Sequence, residues 1–118
     1  MDYAEIWAEA WTAGIMSGLA CRPTPMVVEY HKSKTLYVAE VVDDGACGFA
    51  WVKIRPANGK LARWLKAQKI GHKAYNGGWD VSVHDFGQSW ERKSAAASAM
   101  AAVLVKHGID ATSHNRID

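Results

Sequence analysis

The chain has 118 residues, 49% of them hydrophobic and 22% charged, the make-up of one globular domain with enough length for a real core. Two cysteines, Cys21 and Cys47, are too few for a disulfide framework, and no apolar run approaches the roughly 18 residues of a membrane span. The start MDYAEIW lacks a signal-peptide pattern, so the expectation is a cytoplasmic protein of a bacterial cell, with reduced thiols and no membrane contact.

Residues 2–20 read as a helix. Asp2, Glu5 and Glu9 suit the positive end of its dipole, and Tyr3, Trp7, Trp11 and Ile15 recur at four-residue spacing as an apolar stripe. Gly14 and Gly18 weaken its second half, and Arg22-Pro23 ends it. Residues 26–32 and 35–43 are rich in β-branched and aromatic residues, and the short polar link between them predicts a hairpin. Asp43-Asp44-Gly45 is a turn signal, after which residues 47–54 read as a third strand. Alternation there puts Cys47, Phe49, Trp51 and Lys53 on one face and Gly48, Ala50, Val52 and Ile54 on the other.

Residues 60–69, KLARWLKAQK, predict a short amphipathic helix with Leu61, Trp64 and Leu65 inward and Arg63 and Lys66 outward. Asn76-Gly77-Gly78 demands a turn, and residues 79–86 alternate as a half-buried strand. Asp85 and Gln88 have the spacing of a capping signal for an Ala-rich helix over residues 89–107, with Gly108 as its C-terminal stop. Its slim face is Ala97, Met100, Ala101 and Leu104, and residues 109–116 are a final strand. The order is αβββαβαβ, a single α+β domain with helices on a mainly antiparallel sheet.

The formal net charge of +2 hides a segregated distribution. Residues 1–44 hold seven acids and three bases, residues 45–79 hold seven Lys or Arg and no acid, and residues 80–118 hold five acids and four bases. Lys53, Arg55, Lys60, Arg63, Lys66, Lys69 and Lys73 thus form a tract suited to an anionic partner, or to solvent. Trp64, Tyr75 and Trp79 lie within it for base stacking. No nucleotide-binding glycine motif accompanies it. The five histidines and two cysteines show no metal-ligand spacing, so no metal or cofactor is expected. Cys47 followed by His84, with His114 or Asn115 as a third group, is similar in order to small papain-like amidases of the cell-wall type. Their nucleophile caps a helix, however, whereas Cys47 begins a strand.

The tracts GACGFAWVKIRPANGKLARWLK and AYNGGWDVSVHDFGQSWERKSAAASAMAAVLVKHGIDA resemble a group of small phage and prophage proteins. The likeness covers residues 45–117, and its most distinctive part is CGFAWV followed by the KLARWL helix. That group has no agreed enzyme activity, so no catalytic residue is carried over. The resemblance implies host takeover or counter-defence, including inhibition of CRISPR effectors. The leading expectation is therefore a non-enzymatic inhibitor that occludes a working surface of a host protein or nucleoprotein complex. Arg55, Arg63, Lys66 and Lys69 would steer it, and exposed members of Trp7, Trp11 and Trp64 would anchor it. A nucleic-acid-binding protein using the 53–73 face is the second expectation, and a cysteine hydrolase built on Cys47 and His84 the third. A homodimer would manage an uncovered sheet edge.

Overall fold

The computed structural model describes residues 1–118 and has three helices and six strands. In chain order these are α1 (Tyr3–Ala20), β1 (Met26–His31), β2 (Tyr37–Val42), β3 (Gly48–Arg55), α2 (Lys60–Ala67), β4 (His72–Lys73), β5 (Trp79–Ser82), α3 (Trp90–Lys106) and β6 (Asp110–Ile117). The α+β architecture matches expectation, and the two-residue β4 is an addition to the expected order.

β3 organises the main sheet because its alternating side chains give it two different faces. Ala50, Val52 and Ile54 are buried, while Phe49, Trp51 and Arg55 lie on the opposite side. It pairs antiparallel with β5 on one edge and β6 on the other, and β4 extends the sheet to the order β4-β5-β3-β6. The connections β3–α2–β4 and β5–α3–β6 each skip one strand, which is a split βαβ arrangement. α3 lays Ala97, Met100, Ala101 and Leu104 on the core, as its sequence pattern predicts, and α2 adds Leu61, Ala62 and Leu65.

α1 corrects one expectation. Its buried face is not Tyr3-Trp7-Trp11-Ile15 but Ile6, Trp7, Ala10, Gly14 and Gly18, and Trp11 is 39% exposed. The reason is close approach to α3. A Cβ on Gly14 would lie 2.6 Å from Met100 Cγ, and one on Gly18 would lie 2.2 Å from the Phe86 ring. The two glycines, read from the sequence as weak points, are where the helix packs. The helices run antiparallel: Glu9 meets Lys106 and His107, each at 3.0 Å, and Arg92 donates to the Gly18 carbonyl at 2.9 Å.

Local signals behave unevenly. Asp2 caps α1 by accepting from the Ala4 and Glu5 N–H groups. α3 is capped by Ser89, which accepts from Arg92 N–H, rather than by a signal at Asp85 and Gln88. β5 stops at Ser82 instead of reaching Phe86. The chain turns back there, with Phe86 at φ 70°, so that its ring can meet α1. β1 and β2 form their own two-stranded sheet, which packs on no other element to any extent. The molecule is correspondingly long, 63 × 29 × 19 Å with a radius of gyration of 17.3 Å, against about 13.5 Å for a compact chain of this length. No helix is long and apolar enough to cross a membrane.

The packing of α1 sets a sign test. Helix propensity alone predicts that Gly18→Ala stabilises by about 1 kcal/mol. The contact with Phe86 predicts destabilisation by about 1–3 kcal/mol, read as a lowered Tm. A raised Tm would contradict the packing account. A second outcome concerns acid. Hydrogen bonds from Lys106 and then His107 hold the Glu9 carboxyl below its usual 4.5. Its contribution is therefore present above that pH and lost as pH falls through the depressed folded value. The Tm difference between the wild type and Glu9→Gln should close in acid, and a pH-independent difference would show that the pair contributes nothing.

Candidate functional site

α2 separates its two faces sharply. Leu61, Ala62 and Leu65 turn to the core, which leaves Arg63 and Lys66 in solvent. After α2, Lys69 adopts φ 62° and the chain doubles back through Ile70 and Gly71 into β4. Gly71, at φ +78°, sits where a Cβ would lie 2.6 Å from the Asp80 carbonyl, so this reversal requires glycine. The indole of Trp79 donates to the Ile70 carbonyl at 2.9 Å and pins the reversal to β5. Between α2 and β4 the reversal leaves a cleft of about 700 Å³ lined by Arg63, Lys66, His72 and Lys73, with Asn58 and Trp79. No carboxylate lines it.

A second groove of about 630 Å³ adjoins the first and shares Gly71 and His72 with it. Its walls are Trp7 and Trp11 of α1 on one side and Lys69, Val81, Ser82 and His84 on the other. Cations and an exposed aromatic residue thus meet on one continuous surface. The ion pairs of the molecule lie elsewhere: Lys53 with Asp80, Arg92 with Asp44, and Lys106 and His107 with Glu9. Arg55, Lys60, Arg63, Lys66, Lys69 and Lys73 have no ion-pair partner, so their charge is free for an external anion.

The structure revises the placement of five expected binding residues. Lys53 is only 4% exposed, and its Nζ contacts Asp80 at 2.9 Å and donates to Asn76 and the Gly77 carbonyl. It clamps the Asn76–Gly78 turn and takes no part in a cationic surface. The reason is register: Lys53 stands directly opposite Asp80 in the β3–β5 ladder. Trp7 is 7% exposed and serves as core, and Trp64 is half-buried against the core and lines neither groove. Lys60 lies away from the cleft, near the Pro56–Gly59 loop and Met1. Arg55 lies on the sheet face opposite the core and donates to Thr112 at 3.2 Å.

The residues of the hydrolase alternative are not linked by hydrogen bonds. Cys47 is exposed at the start of β3, while His84 lines the groove beside Trp11, and no hydrogen bond joins them. His114 stacks on Trp51 at 5.8 Å and bonds to Thr112, and Asn115 accepts from the Trp90 indole, so neither orients His84. No three His, Cys, Asp or Glu side chains gather as a metal site.

The sequence reading missed His72 and His84 as lining residues, although His72 stands between Lys69 and Lys73 in the tract. It also missed the outer sheet face. There Phe49 lies under Arg116 at 5.0 Å and Trp51 stacks on His114, both pairs being opposite one another in the β3–β6 register. The signal available was the shared parity of β3 and β6 once their pairing is known. No protein-family model, curated protein or solved structure matches the chain.

The sorting of the cations is testable by denaturation. Lys53→Ala leaves Asp80 facing an empty site and should cost about 3–5 kcal/mol. Lys66→Ala, on the solvent side of α2, should stay within about 0.5 kcal/mol of wild type. Equal effects would mean that Lys53 is no more structural than its neighbours.

Proposed function

We propose that this is a non-enzymatic binding protein that places its basic cleft against an anionic working surface of a host protein or nucleoprotein complex and occludes it. The phage-type resemblance supplies the counter-defence context, including inhibition of the CRISPR type. One observation carries the reading: Arg63, Lys66 and Lys73 line a cleft with no carboxylate and have no ion pair of their own. Unpaired cations on a concave surface steer association and suppress wrong partners. Trp11, in the adjoining groove, is the aromatic anchor.

A second reading, direct nucleic-acid binding, is favoured by specific features. Tyr75 is fully exposed two residues beyond Lys73, and the outer sheet face presents Phe49 beside Arg116. Aromatic residues beside cations suit stacked bases and phosphates.

The test is a pull-down from bacterial lysate with tagged protein, with and without nuclease, alongside a variant carrying Arg63→Glu and Lys66→Glu. A protein complex should be captured by wild type after nuclease treatment and lost by at least about tenfold in the variant, with unchanged Tm. Capture that vanishes with nuclease would transfer the proposal to nucleic acid, which also requires a steep loss of affinity with salt. Undiminished capture by the variant would remove the cleft from the account.

A further inference from the structure

The basic cleft leaves the β1–β2 ribbon unexplained. One face of the ribbon carries Met26, Val28 and Tyr30 from β1 with Val38 and Val42 from β2. Its one charged position, Glu40, is already engaged, since its carboxylate accepts the Tyr30 hydroxyl at 2.9 Å. Met26, Val28 and Tyr30 are each more than a third exposed, Val38 and Val42 are half-buried, and Leu36 at the tip is half exposed. The opposite face, where Val27, Tyr37 and Val41 are more than half exposed, is interrupted by Glu29 and His31. A two-stranded hairpin standing alone in water is only marginally stable, and contiguous exposed apolar surface marks a contact.

The base of the ribbon is held firmly while the rest is free. Ser89 donates to the Asp44 carbonyl at 3.0 Å, and Glu91 accepts from the Thr24 N–H at 2.8 Å, so the first turn of α3 fixes where the ribbon leaves the body. An arm fixed at its base has part of its ordering cost removed before it binds.

Charge along the ribbon says what covers it. Lys32 and Lys34 lie in the tip and form no ion pair. Asp43 and Asp44 lie at the base, with only a 4.0 Å approach of Arg92 to Asp44. A polar arm of this kind is complementary to a second copy of itself turned end for end, which is the isologous contact of a two-fold dimer. We propose that the ribbon is a homodimerisation arm: two copies lay the Met26-Val28-Tyr30-Val38-Val42 faces together, antiparallel, with Lys32 and Lys34 of each beside Asp43 and Asp44 of the other. Six residues of ribbon span about 20 Å by about 10 Å. That is small beside the roughly 800 Å² per partner of a standard interface, so the dimer is weak and dissociates on dilution.

Sedimentation velocity of the full chain from about 1 to about 300 µM should show a concentration-dependent dimer that weakens with salt. Val28→Asp with Val38→Lys should give a monomer whose Tm is unchanged, because the ribbon is not part of the core. The decisive arm is a charge swap. A tip variant (Lys32→Glu, Lys34→Glu) and a base variant (Asp43→Lys, Asp44→Lys) should each be monomeric alone, since each places like charges together. Mixed, they should form a heterodimer. A wild type that stays monomeric throughout the range overturns the proposal, as does a mixture that fails to associate or a dimer that survives the apolar substitutions. A monomer whose ribbon instead binds a different protein also overturns it.

Discussion

The nearness of α1 to α3 governs the shape of the cleft side. Two helices that meet over ordinary side chains stand about 8–10 Å apart. Here Ala10, Gly14 and Gly18 form the contact, with Met100 and Phe86 seated where side chains would otherwise be. The arrangement carries Trp7 into the core and sets Trp11 opposite Lys69 and His84. A larger stripe would lift α1 off α3 and open the aromatic groove, so the proposed binding surface depends on residues that do not line the cleft.

The second constraint is the absence of acids from residues 45–79. A cation in that tract can be neutralised only by a carboxylate brought from elsewhere in the fold. Strand register does this once, by placing Asp80 opposite Lys53. The remaining ion pairs use Glu9 and Asp44 to hold Arg92 and Lys106 of α3 and His107 at its C-terminal cap. The charge segregation of the sequence therefore survives folding, with one cation withdrawn into the structure and the others left free. An exposed charge costs the fold little, so this surface can serve binding without weakening the domain.

Much of the local structure was legible because local chemistry decides it. Asp2 before α1, Gly108 after α3, the two-faced pattern of β3 and the apolar side of α2 each follow from a few neighbouring residues. Where long-range packing decides, local reading failed. Gly14 and Gly18 are poor helix residues by propensity and good ones when another helix must come close. Lys53 looked like one more surface cation because its partner is 27 positions away in sequence and adjacent only through the β3–β5 ladder. The outer-face pairs Phe49–Arg116 and Trp51–His114 were hidden for the same reason. Within the site, Arg63, Lys66, Lys69, Lys73 and Trp11 were named from sequence and do share one surface.

That surface is the central claim, and the most direct measurement is a residue-resolved NMR titration of the full chain with a short oligoglutamate peptide and, separately, a short oligonucleotide. The account predicts that an anionic ligand shifts the backbone signals of Asn58, Arg63, Lys66, His72 and Lys73 and the indole signals of Trp79 and Trp11. The Lys53 signals should stay still. Shifts confined to β6 and the outer sheet face, or no shifts with either ligand, would contradict the claim that the α2–β4 cleft is where this protein meets its partner.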